Sequence, residues 1–165
     1  MDAITLLRSD HRRVEKLCAS FERTGGRAKK TRARIVDRMT ADLTLHTTLE
    51  EQVFYPLVRQ SVPDVDFVIL ESVEEHHVVK LLLAELAELS PSDERFAPKV
   101  AVLIQAVRQH IEREEREVFP SMRKSVGRAR LGEIGDAMRK LQRKARTASP
   151  KATKKAARKT LKRVA

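Results

Sequence analysis

Tryptophan is absent from the 165 residues, and tyrosine and cysteine occur once each. A lone Cys18 allows no intrachain disulfide, which excludes a disulfide-stapled scaffold and fits a reducing compartment such as the cytoplasm. Glycine is scarce, five in all, and none belongs to a Gly-rich phosphate loop. No apolar run approaches the roughly 20 residues that cross a bilayer. No apolar signal segment precedes the first amphipathic stretch, so neither membrane insertion nor export is expected. Acidic residues are missing from Arg139 to Ala165, where 12 Lys or Arg stand, leaving 22 basic and 23 acidic residues in the rest. The net charge of +11 therefore belongs to one end of the chain, and the remainder is close to neutral.

What is present is helical periodicity, with no strand alternation. Ile4, Leu7, His11, Val14, Leu17 and Phe21 recur at spacings of three and four over residues 3–22, which is one helix face. "TGG" at 24–26 ends that helix, and a second runs from about 28 to 60. "SVPD" at 61–64 breaks the chain before a third helix at about 65–89, and "SPSDERFAP" at 90–98 before a fourth at about 96–125. A short fifth helix, about 129–144, carries Leu131, Ile134, Met138 and Leu141. Long helices with short connections predict an all-α, antiparallel up-down four-helix bundle over residues 1–146. Residues 147–165 are Lys/Ala-rich, with too little apolar content to pack, and are expected to be a disordered tail.

Two stretches share a skeleton. "HTTLEEQVFYP" at 46–56 and "HIEREEREVFP" at 110–120 both read His-x-x-x-Glu-Glu-x-x-x-x-Pro. Residues four apart share a helix face, so His46 lies with Glu50 and His110 with Glu114. His11 and one of His76 and His77 fall on the apolar stripes of the other two long helices. A single histidine on such a stripe is ordinarily a core residue with a hydrogen bond. Glutamate is different, since burying an unpaired carboxylate costs several kcal/mol. Four histidines and two glutamates turned into one core need something to bind. The natural reading is a dinuclear metal site with terminal imidazoles and carboxylates free to bridge.

The internal repeat favours His76 over His77. Asp10-His11 and Glu75-His76 are both acid-then-histidine, and valine and leucine follow three and six residues on in each. His77, about 100° further round the helix, is then in solvent or against an outer partner, and stays the alternative ligand.

The order His11, His46-x-x-x-Glu50, His76, His110-x-x-x-Glu114, with "EEQVFYP" and "EEREVFP" closing the second and fourth helices, resembles the hemerythrin-like HHE cation-binding domain over about residues 1–125. The resemblance implies a four-helix bundle around a non-haem di-iron centre, its two irons bridged by carboxylate and by an oxo or hydroxo group. It makes His11, His46, His76 and His110 terminal ligands, and Glu50 and Glu114 bridging ones. Oxygen-carrying members have a further histidine one turn after the third-helix ligand, where this chain has Lys80. They have an aspartate after the fourth-helix histidine, where this chain has Glu114. That departure implies more open coordination, and it favours chemistry with O2, peroxide or nitric oxide over reversible oxygen carriage.

Tyr55 stands about 140° from Glu50 in an ideal helix, which reads as a boundary aromatic. A phenolate can ligate ferric iron, however, and helix geometry loosens near proline, so Tyr55 is a second candidate ligand. Glu51 and Glu115 are expected in solvent or orienting an imidazole from outside. Cys18 reads as a small core residue.

Two functions follow: a cytoplasmic di-iron protein that binds, senses or turns over a small oxidant or gas, or a metal-stabilised interaction module. In the second, the basic segment 139–165 would bind nucleic acid weakly and without sequence preference.

Overall fold

The computed structural model describes residues 1–147 and is helical, with no strand among the described residues. The elements are α1 (Ala3–Arg23), α2 (Lys29–Leu49), α3 (Tyr55–Ser61), α4 (Asp66–Glu88), α5 (Phe96–Arg113), α6 (Phe119–Ser125) and α7 (Arg128–Thr147). Short π-helical segments, Glu50–Phe54 and Glu114–Val118, join α2 to α3 and α5 to α6. The basic segment expected to be a tail lies outside the described residues beyond Thr147, and α7 runs longer than the periodicity indicated.

Helix α1 packs on α2 and α4 on α5, while α1 also meets α5 and α2 meets α4, closing a ring. Asp2 caps α1 by accepting from the Thr5 N–H at 2.8 Å. The turn before α4 holds Asp64 at φ 55°, a left-handed conformation that aspartate tolerates. Helix α7 lies against α1, α2 and the first π segment. Its approach to α1 depends on Gly135, where a Cβ would fall 2.5 Å from the Met1 carbonyl oxygen.

The interior holds two apolar clusters. One contains Ile4, Leu7, Leu49, Phe54, Val58, Ile69 and Met122, closed by Leu131, Ile134 and Met138 of α7. The other contains Val14, Phe21, Met39, Leu43, Leu83, Val100, Leu103 and Val107. Cys18 is fully buried in the second cluster, as expected, and burial pushes its thiol up to about 12. It should therefore resist alkylation at pH 8 in the folded chain and react once the chain is unfolded. Mass spectrometry after iodoacetamide treatment with and without denaturant checks this.

The π segments correct the expectation of two uninterrupted helices at 28–60 and 96–125. In each, the backbone bond widens to five residues: Tyr55 N–H donates to the Glu50 carbonyl, and Phe119 N–H to that of Glu114. Pro56 and Pro120 are the cause readable in the sequence. Proline has no N–H, and in a straight α-helix its ring would strike the carbonyl four residues back. One extra residue per turn relieves the clash and brings residues five apart onto nearly one face.

Candidate metal centre

The predicted histidines and glutamates meet in one buried layer. Glu50 and Glu114 are 0% exposed, and His11, His46, His76 and His110 between 1% and 4%. His77 is exposed and takes no part. The imidazoles form two pairs, His11 with His46 at 4.8 Å between ring centroids and His76 with His110 at 4.6 Å. Distances between the pairs are longer, 6.4 Å for His11 to His110 and 6.2 Å for His46 to His110.

Each carboxylate lies between the pairs. Glu50 Oε2 is 3.1 Å from His46 Nε2 and 3.2 Å from His76 Nε2. Glu114 Oε2 is 3.3 Å from His11 Nε2 and 3.6 Å from His110 Nε2. These approaches leave Glu50 Oε1 and Oε2, Glu114 Oε2, His11 Nε2 and both His46 nitrogens buried without an aligned hydrogen-bond partner. Leaving such atoms unsatisfied costs about 1–3 kcal/mol each, more where they are charged. One donor atom from each of His11, His46, Glu50, His110 and Glu114 lies within 4.8 Å of every other. Imidazole nitrogen and carboxylate oxygen are the donors that divalent first-row metals take, so the cluster fits a metal.

The second π segment brings Phe119 onto His11, stacked at 5.6 Å and 14°. The first brings Tyr55 onto His76 in the same way, at 5.5 Å and 24°. The Tyr55 hydroxyl donates to Glu114 Oε1 at 2.9 Å and lies 3.3 Å from His76 Nε2. The boundary reading of Tyr55 is therefore corrected: the widened turn carries the phenol to the centre.

The electrostatics are those of a crowded buried cluster. Burial, and then the Glu114 charge, push the Glu50 carboxyl well above its usual range, so it is the one that holds a proton. Burial also works to raise Glu114, but His110 and His11 override it and hold Glu114 below the usual range. Burial opposes protonation of His11, yet the neighbouring Glu114 and Glu50 raise it to about 9. His46 is lowered to about 3 by burial and by the positive charge of His11. Tyr55 is raised well above its usual range by burial and by both carboxylates.

The outer ring nitrogens also find partners. His76 Nδ1 is 2.8 Å from Glu51, and His11 Nδ1 is 3.0 Å from Glu115, which places both glutamates against imidazoles rather than free in solvent. His110 Nδ1 is 3.1 Å from Glu75. Sequence reasoning missed Glu75 in this role, although its place before His76 had been visible as half of an acid-then-histidine pair.

A family model for the hemerythrin HHE cation binding domain matches residues 2–122. The chain belongs to that family. Among solved structures, this HHE-family chain is similar to a hemerythrin HHE cation binding domain-containing protein from Mycobacterium kansasii. The TM-score is 0.81 at 20% identity, over 99% of this chain and 98% of that one, which shows a hemerythrin-like fold. Among curated proteins it is 29% identical over 126 residues to a DNA nickase of Nostoc sp. (strain PCC 7120 / SAG 25.82 / UTEX 2576). That match covers 76% of this HHE-family chain but only 35% of the nickase.

Proposed function

We propose that the chain is a four-helix bundle built around a binuclear iron centre that binds, senses or turns over one small oxidant or gas: O2, NO or peroxide. The observation that carries this reading is the pairing of the imidazoles, with each glutamate reaching one ring of either pair. His11 and His46 would hold one ion, His76 and His110 the other, and Glu50 and Glu114 would bridge. Tyr55 stands beside the second position as a further donor. Iron there would supply redox equivalents and an open coordination position.

The protein supplies shape and dryness. Beside the imidazoles lies a cavity of about 10 Å³ walled by Val14, Leu43, Val79 and Val107, one aliphatic side chain from each helix of the ring. That is room for at most about one water-sized molecule, a size compatible with a small diatomic ligand. A single cysteine is compatible with a reducing compartment such as the cytoplasm for such a centre. No helix among the described residues is long and apolar enough to cross a membrane.

Elemental analysis of chain purified without chelator or histidine tag tests the reading. About two irons per chain is the expected result, followed by a spectral response to one of the three small molecules. A well-folded chain that takes up no ferrous iron would sink it.

A second reading rests on the 12 cations and absent acids of residues 139–165 and on the likeness to a DNA nickase. In it, the basic segment holds nucleic acid through phosphates while the metal stabilises the domain. Anisotropy with labelled duplex DNA, comparing the full chain with residues 1–147, decides it. Binding that is salt-sensitive and weakened on truncation supports this reading; a full chain that shows no salt-sensitive binding rejects it.

A further inference from the structure

The outer nitrogens of three histidines are held by a carboxylate that is itself held by a cation. Glu51 at His76 is clamped by Lys80 Nζ at 2.6 and 2.7 Å. Glu75 at His110 is ion-paired with Arg113 at 3.3 Å, and Glu115 at His11 lies 3.7 Å from Arg8. Such an arrangement fixes the ring plane and leaves Nε2 as the nitrogen that faces the centre.

The fourth corner is unmade. By the internal repeat, Asp10 precedes His11 as Glu75 precedes His76, and Glu75 reaches the histidine of the following helix. Asp10 should reach His46 likewise. Instead His46 Nδ1 and Asp10 Oδ2 are both buried without a hydrogen-bond partner. Asp10 is close enough for its charge to act on His46, but its other oxygen is taken by Arg13, which is tied in turn to Asp42 at 3.3 Å. Aspartate is one methylene shorter than glutamate, and here that methylene is the difference between a held ring and a free one.

We propose that the two metal positions are unequal: the His76–His110 position is preorganised and fills first, and the His11–His46 position is looser because Asp10 stops short of His46. Glu51, Glu75 and Glu115 are thus positioning residues, Asp10 is the one that falls short, and the inequality is written into the Asp-for-Glu difference at that corner. The inference rests on the binuclear reading above.

The test is a Zn²⁺ titration of the full-length, metal-freed chain labelled with ¹⁵N-histidine, following the ring nitrogens by NMR. The first equivalent should move the Nε2 signals of His76 and His110, and the second those of His11 and His46. Asp10→Glu should tighten the second step about tenfold and leave the first unchanged, since a carboxylate partner of a ligating histidine is worth about 10–100-fold in affinity. Glu75→Asp should weaken the first step by a similar factor. Four signals moving together, or His11 and His46 moving first, overturn the proposal. So does an Asp10→Glu chain of unchanged helicity whose second step does not tighten. A chain that binds no Zn²⁺ at all overturns the binuclear reading with it, whereas two ions taken up in the wrong order overturn only this inference.

Discussion

Glu114→Gln and Glu50→Gln should each cut the iron held by the full-length chain from about two ions to one or none. Each carboxylate approaches one imidazole from either pair, so removing its charge takes a donor from both positions at once. Glutamine keeps the volume, which separates the loss of a donor from the opening of a cavity. The metal-free Glu50→Gln chain should fold about as well as the parent, because Glu50 is the carboxyl that already holds a proton. Metal-free Glu114→Gln should be less stable, because it takes the ionised partner from His11 and leaves a buried cation unpaired. Metal loading separates both variants from the parent. Metal at about 100 times its dissociation constant adds about 2.7 kcal/mol to the parent, or roughly 5–11 °C of melting temperature for a chain of this size. The glutamine variants should lose most of that shift. Elemental analysis paired with thermal melts, with and without ferrous iron, reads both arms. A Glu114→Gln chain that still carries two irons and still gains the full shift would remove the carboxylates from the centre.

The cluster could be read from the sequence because its members obey helical spacing. His46 and Glu50 share a face, as do His110 and Glu114, and the same four-residue frame recurs in both halves. The choice of His76 over His77 came from that repeat too, and the structure buries the first and exposes the second. What periodicity could not deliver was anything that departs from a constant turn. Both π segments begin at the bridging candidates, and a fixed advance of about 100° per residue puts every later side chain at the wrong angle. That is why Tyr55 looked like a boundary residue. The signal was in the text, a proline six residues after each glutamate, but a proline states that the helix must give and not where it gives. Which imidazole each outer carboxylate holds was hidden for another reason. Glu115 at His11 and Glu51 at His76 are contacts between halves, separated by 104 and 25 residues, and one-dimensional spacing says nothing about which faces meet across a bundle.

Tyr55→Phe should leave the iron content unchanged and lower the melting temperature of the metal-free chain by roughly 2–12 °C, from about 1–3 kcal/mol for a buried acceptor left without its donor. The comparison is clean because the chain already contains its own control. Phe119 occupies the matching place in the other half and stacks on His11 as Tyr55 stacks on His76. A phenyl ring therefore fits, and only the hydroxyl is removed. That hydroxyl donates to Glu114 Oε1 at 2.9 Å, and Glu114 is the carboxylate that its histidine neighbours keep ionised. Losing a donor to an ionised, buried oxygen belongs at the upper end of the range. Burial and two nearby carboxylates hold the phenol itself well above its usual range, so without metal it stays protonated and acts as a donor. The opposite outcome is equally readable. Should Tyr55→Phe release one iron per chain, or erase a visible absorption band that the ferric parent displays, then Tyr55 ligates the second position. The two halves of the centre would then differ in a ligand as well as in the reach of Asp10.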